Sequence, residues 1–177
     1  MTKNDSVSAN IFYDAMTADT KNNGFDMLKV DFQSMNLIFN KGNENPILGV
    51  HYNNRALEEN VKDKNLKLLN CIAMQNFNVF NQTYSNVIRS SVDYKVDLDR
   101  IDLTLVQNFT NALWLGHVHW LDQDMFHTSF KETARLMAVA RAISGVYTCW
   151  FYMFHDTHNQ NIITITDRIY FCFISSF

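Results

Sequence analysis

The chain has 177 residues, 47% of them apolar and 19% charged, which supplies one globular core and lies outside the range of disordered proteins. A formal charge of −3 with no basic stripe removes the electrostatic basis for binding nucleic acid, whose phosphates demand a concentrated positive surface. No uninterrupted run of about 20 apolar residues is present, and the aromatic C-terminal stretch is broken by Asp156, Asp167 and Arg168, so no membrane span is expected.

Residues 1–10 are polar and lack the basic-then-apolar order of a secretion signal, which reads as a cytoplasmic protein. Residues 11–20 suit a helix, and Lys21-Asn22-Asn23-Gly24 ends it with a turn signal. The short apolar run over residues 25–30 predicts a buried parallel strand with Asp31 at its exit. A polar loop over residues 40–46 holds the one proline. Residues 55–66 predict a helix in which Leu57 and Val61, four apart, share the inward side. Residues 68–74 read as a second interior strand, Val87-Ile88 as a third running into Arg89, and residues 101–115 as an amphipathic helix. His117-Val118-His119-Trp120 is expected to form a fourth strand ahead of Asp122 and Asp124, and residues 131–144 are rich in strong helix formers.

Strand and helix thus alternate about four times, the pattern of an α/β fold with a parallel sheet flanked by helices. Four to five β/α units amount to an incomplete (β/α)8 TIM barrel, since a closed one takes roughly 250 residues. Composition changes after Gly145: residues 146–177 are crowded with aromatic and β-branched side chains and follow neither period. The expected organisation is a partial barrel over residues 1–145 and a divergent tail arising by frameshift or truncation, with an unusual β segment as the competing reading.

Cys71, Cys149 and Cys172 lack C-x-x-C spacing and read as free thiols. His117, His119 and His127 near Asp122 and Asp124 are competent zinc ligands, and a His-x-His strand aims both rings to one face; no further ligand spacing supports a metal, and no cofactor is expected. Trp114 reads as core, and Trp120 as either core or a platform for a sugar face.

Acidic residues close three strand-like segments: Lys29-Val30-Asp31, Arg89-Ser90-Ser91-Val92-Asp93 and Trp120-Leu121-Asp122-Gln123-Asp124. Parallel strands of an α/β barrel place all their C-terminal ends on one rim, so carboxylates distant in sequence converge there, and a pair of them suits glycoside cleavage. Each segment also has a plainer reading: Lys29 and Asp31 as solvated loop residues, Arg89 and Asp93 as a pair across one helical turn, Asp122 and Asp124 as caps of the next helix.

In order, these three segments together with His127-Thr128-Ser129 and Ala138-Val-Ala-Arg-Ala-Ile-Ser-Gly145 resemble the raffinose synthase and seed-imbibition-protein branch of glycoside hydrolase family 36, the α-galactosidase-like enzymes; the likeness runs over about residues 11–145. The resemblance implies a (β/α)8 barrel, no metal, an α-galactoside oligosaccharide substrate of raffinose type and a retaining double displacement. It puts the nucleophile on Asp31 with Lys29 against the sugar, and the acid/base on Asp93 with Arg89 as a sugar ligand. Asp124 would bind sugar hydroxyls, and Asp122 would support the loop. The family's earlier strands have no counterpart here, and Val146-Tyr147-Thr148-Cys149 replaces its next glycine and final strand, so little or no turnover is expected. Galactosyl transfer of raffinose synthase type, or a catalytically inactive remnant that at best binds sugar, are the alternatives.

Overall fold

A computed structural model describes residues 5–39, 45–95, 98–125 and 129–144. Helix α1 (Ser6–Asn22) is followed by β1 (Met27–Val30), a 3-10 turn (Gln33–Met35), the single turn α2 (Asn36–Phe39), α3 (Pro46–Asp63), β2 (Lys67–Asn70), the single turn α4 (Asn76–Val79), β3 (Val87–Arg89), α5 (Leu98–Leu115), β4 (Trp120–Asp122) and α6 (Lys131–Ser144). The strands form one open sheet in sequential order, β1-β2-β3-β4. β1 pairs with β2 in parallel from Met27 opposite Lys67 to Val30 opposite Asn70, and β2 pairs in parallel with β3 at Leu69 opposite Val87 and Asn70 opposite Ile88. The architecture is therefore mixed α/β, as the alternation of patterns predicts. The tail over residues 145–177, with Cys149 and Cys172, lies outside the described residues, as do residues 40–44 of the polar loop and Phe126, His127 and Thr128.

The chain divides into two compact units, Met1–Arg89 with Val118–Trp120, and Ser90–His117 with Leu121–Phe177. In the first, Asp5 caps α1 by accepting from the Ser8 amide at 2.8 Å, which satisfies one of the amides a helix start leaves open. Helix α1 then packs on α3: Ala9 and Tyr13 meet Ala56, Leu57, Val61, Leu66 and Leu68 in one apolar cluster. Burial pushes the Tyr13 phenol up to about 12. Asn60 of α3 donates to Asn10 of α1 at 2.7 Å, and Lys64 reaches Asp14 at 2.5 Å. Leu57 and Val61 are buried, as their spacing requires. Helix α3 begins nine residues before its predicted start. Asn45 caps it by accepting from Leu48, and Pro46 opens it where no amide is needed. Its first half carries Gly49 and buried Asn53 and Asn54 in place of an apolar stripe, so the helical period is hidden there.

A buried polar chain ties this helix to the sheet. Glu58, 2% exposed, accepts from the Tyr84 and Ser85 amides, each at 2.7 Å, and from the Ser85 hydroxyl. Asn70, fully buried at the end of β2, donates to the Ser85 hydroxyl at 2.7 Å and accepts from Gln33 at 2.7 Å. The loop entering β3 and the turn leaving β1 are thus fixed by amide and carboxylate groups inside the unit.

In the second unit, Tyr94, Ile101 and Met137 form the core of α5 against α6, with Leu105, Met125 and Ala134 beside it. The inward row of α5 is Ile101, Thr104 and Asn108, spaced three and four apart. Asn108 accepts from the Ser90 hydroxyl at 2.5 Å, and Asn111 donates to the Ser90 carbonyl at 2.7 Å. Trp114 lies off that row and is 77% exposed, which corrects its expected place in the core.

Two strand boundaries also differ from expectation. β2 stops at Asn70 because Ile72 turns into the left-handed region, φ 46°, and the chain leaves the sheet. β4 begins at Trp120; His117 and His119 lie in the turn before it, so no His-x-His strand forms. Residues 90–95 contain no helix, which removes the reading of Arg89 and Asp93 as a helical-turn pair, and α6 starts at Lys131, too far along for Asp122 or Asp124 to cap it.

Replacing Glu58 with alanine strands the buried Ser85 amide and the partly buried Tyr84 amide and is expected to cost about 2 to 4 kcal/mol. Urea unfolding of the full chain reads this as a lower midpoint for Glu58→Ala than for Glu59→Ala on the outer face of the same helix.

Candidate functional site

Register alone assembles the first cluster. One position beyond the paired residues Val30, Asn70 and Ile88 come Asp31, Cys71 and Arg89, one residue from each of three neighbouring parallel strand ends. The backbone ladder continues into this row, with the Cys71 amide donating to the Val30 carbonyl at 2.9 Å and the Gln33 amide donating to the Cys71 carbonyl at 3.4 Å. Cys71 and Arg89 are buried, whereas Asp31 is exposed. The row is thus a thiol and a guanidinium set into the sheet end beneath an accessible carboxylate.

The surroundings of Asp31 hold its charge. Partial burial raises its pKa, but the Cys71 thiol and the Phe32 amide donate to the carboxylate, and the positive charges of Lys29 and Arg89 favour the ionised form; the net result lies below the ordinary aspartate range. The Phe32 amide is 2.7 Å from Oδ1, and the Lys29 ammonium is 3.8 Å from Oδ2. Lys29 stands two residues earlier on the strand and so on the same side. Cys71 moves in the opposite direction: burial and its bond to Asp31 push the thiol up to about 11.

The turns beyond this row are strained. Phe32 and Ile72, each two residues past the end of its strand, are left-handed at φ 55° and 46°. For a β-branched residue that conformation is an outlier. It turns the Ile72 carbonyl to accept from the Ser34 amide at 2.7 Å and the Ser34 hydroxyl at 2.5 Å, a latch between the two exit loops.

The second unit carries its own acidic cluster. Asp93 is exposed, and the amides on either side of it are held by side chains: Val92 donates to Gln107 at 2.8 Å and Tyr94 to Asp124 at 2.6 Å. The Tyr94 hydroxyl is 2.8 Å from Thr133 of α6. Asp124 is left-handed too, φ 66°, two residues past β4; its amide donates to Asp122 at 3.0 Å, and its carbonyl accepts from Arg141. Burial pushes the Arg141 guanidinium down to about 10 while the charges of Asp122 and Asp124 oppose that, so it stays protonated at neutral pH.

The structure therefore brings together Lys29, Asp31 and Arg89 in one unit, and Asp93, Asp122 and Asp124 in the other. Trp120 is 60% exposed at the entry of β4, its amide donating to Asn86 at 2.6 Å. Among the described residues no group of three or more His, Cys, Asp or Glu side chains is placed to hold a metal, and no helix is long and apolar enough to cross a membrane. Sequence reasoning passed over Cys71, Gln107, Thr133 and Arg141. For Cys71 a signal existed, because sequential parallel strands put the residue after β2 beside the residue after β1.

A sequence model of the family described as raffinose synthase or seed imbibition protein Sip1 matches residues 4–166, most of the chain. The chain belongs to this family. No curated protein matches it. Both clusters, and the segments between 11 and 145 that carry the resemblance, lie inside the matched span. Family membership ties the chain to enzymes of raffinose-family oligosaccharides and to galactoside substrates.

Because the folded Asp31 carboxyl keeps its charge to lower pH than in the unfolded chain, its contribution to stability is present above the ordinary aspartate pKa and is lost as pH falls through the lowered value. Melting temperatures followed from neutral pH to about pH 3 should fall less steeply in Asp31→Asn than in the parent chain. Arg141→Met removes the buried cation opposite Asp122 and Asp124 and is expected to cost about 3 kcal/mol in chemical denaturation.

Proposed function

We propose that the chain carries the catalytic pair of an enzyme that acts on α-galactosides by retaining double displacement, with Asp31 as nucleophile and Asp93 as acid/base. The observation that carries the reading is the state of Asp31: an accessible carboxylate at a parallel strand's exit, kept ionised by two hydrogen-bond donors and two cations. A glycosidic nucleophile has to be charged and unprotonated when the sugar arrives. Asp93 answers the other need. It is exposed on a loop whose flanking amides are fixed, so a carboxyl can approach the leaving oxygen without the backbone moving.

In the first step Asp93 gives its proton to the departing oxygen while Asp31 attacks the anomeric carbon from the opposite face, forming a galactosyl ester and releasing the aglycone. In the second, Asp93 takes a proton from the incoming hydroxyl, which attacks the same carbon and frees Asp31 with the original configuration. A retaining pair works at a carboxyl separation of about 5 to 5.5 Å. Lys29 and Arg89 contact the sugar in this reading, and Asp124 with Asp122 serves its hydroxyls and loop; Trp120 is exposed enough to stack on a sugar ring. The open sheet belongs to an incomplete (β/α)8 barrel over residues 1–145, a reading supported by strands in sequential order, the parallel pairing of β1 with β2 and β2 with β3, and Asp31 and Asp122 at two of the strand ends.

The family description itself names a synthase, which favours a second reading in which a sugar hydroxyl, not water, intercepts the ester. The same pair serves both.

Full-length protein is tested on an aryl α-galactoside, on raffinose, and on galactinol with sucrose. Free galactose marks hydrolysis and raffinose from the last pair marks transfer. Asp31→Ala should lower turnover at least about 10³-fold, and azide should then give the galactosyl azide of inverted configuration, whereas Asp93→Ala with azide gives the retained one. Turnover that survives Asp31→Ala removes the nucleophile assignment, and absence of turnover in the parent chain leaves a catalytically inactive remnant.

A further inference from the structure

Asp93 is followed by a tyrosine whose two ends are held by different partners. The Tyr94 amide donates to Asp124 Oδ2 at 2.6 Å, and the Tyr94 hydroxyl lies 2.8 Å from Oγ1 of Thr133 on α6. Thr133 gives its own proton to the Phe130 carbonyl at 3.1 Å, so the tyrosine O–H is the donor of that pair. Asp124 has its backbone fixed in turn: its amide donates to Asp122 Oδ1 at 3.0 Å, and its carbonyl accepts from Arg141. Thr133 and Arg141 stand about two turns apart on the same helix. The bonds therefore close a ring: from α6 through Thr133 to the Tyr94 hydroxyl, along the tyrosine to its amide, across to Asp124, and back to α6 through Arg141. Tyr94, Thr133 and Arg141 are all buried, so bulk water does not compete for these bonds.

We propose that Thr133 and Arg141 are positioning residues for Asp93: through Tyr94 and Asp124, α6 ties together the loops that follow β3 and β4 and so sets where the Asp93 carboxyl stands. This deepens the reading of Asp93 as acid/base and rests on it. With the Tyr94 amide pinned on one side and the Val92 amide held by Gln107 on the other, Asp93 moves by its own side-chain torsions alone. A general acid has to stand within hydrogen-bond reach of the oxygen it protonates, so a loosened ring weakens proton delivery first. The damage then depends on the leaving group. The sugar alkoxide that departs from raffinose is strongly basic and needs the proton, whereas a dinitrophenolate leaves without one.

The test is Thr133→Val in the full chain, which keeps the side-chain shape and removes the hydroxyl that receives Tyr94. Exchange of the Tyr94 amide, followed by NMR, should accelerate about tenfold, and Thr133→Ser should restore the slow rate. The Ser85 amide, bonded to Glu58 in the other unit, should keep its parent rate in both variants. In the same Thr133→Val protein, kcat/KM on raffinose should fall about tenfold, a part of the 10²–10⁴ that a general acid contributes, while kcat/KM on dinitrophenyl α-galactoside changes by less than about twofold. Unchanged Tyr94 exchange overturns the proposal, and so does an equal loss on both substrates, which a merely destabilised chain gives. Should Thr133→Val not fold, Tyr94→Phe removes the other hydroxyl and is held to the same outcomes. In a parent chain without turnover the exchange readout decides alone, fast exchange upholding the ring and parent-like exchange overturning it. Asp93→Ala keeps the two readings apart: if it loses raffinose and dinitrophenyl galactoside turnover equally, the acid/base assignment fails, whatever the exchange of Tyr94 shows.

Discussion

Parallel pairing in strict register is the constraint from which the rest follows. With Val30 opposite Asn70 and Asn70 opposite Ile88, the residues one step further on are delivered side by side, and the chemistry of the row is then set by which side chains those are. A slip of a single residue would send each of these side chains to the other face of the sheet. The register is defended by buried polar groups. Asn70 bonds both the turn after β1 and the loop before β3, and Glu58 holds that loop from the helix behind. Apolar packing of α1 on α3 supplies cohesion; the amide and carboxylate bonds determine alignment.

Much of this fold was legible in the sequence because its elements obey a single period. β3 and α6 show it well, with short apolar or strongly helical runs bounded by polar residues. The misjudged elements have physical reasons. The first half of α3 buries asparagines that are satisfied by partners distant in sequence, as where Asn54 donates to the Phe77 carbonyl, and no local pattern announces such bonds. β2 was expected to continue to Met74 on hydrophobicity, but apolar residues are equally content in a tight exit turn once tertiary bonds hold it. Trp114 shows the converse: α5 turns Thr104 and Asn108 inward because they meet polar partners or packing there, and size alone did not decide which residue faces the core.

The acidic motifs could be read as strand-end carboxylates from spacing, and all of them lie within the span matched by the family. What spacing could not supply is the support around each one. Asp93 is an ordinary exposed aspartate until Gln107, Asp124 and Thr133 are seen to clamp the backbone and side chain beside it. Arg141 serves the same loop at one remove, through the Asp124 carbonyl. These partners come from two helices and a strand end, so their meeting is a property of the folded unit and of no sequence window.

Three non-glycine residues, Phe32, Ile72 and Asp124, adopt left-handed backbone at the same offset beyond their strands. Glycine would accept those dihedrals without strain, yet it would also leave the turns free to adopt others. A side chain that dislikes the conformation, held there by bonds from its neighbours, gives a loop with one accessible shape. The ordering of these turns is thereby completed during folding, so a molecule that binds at the strand ends gives up little of its binding energy to arrange them.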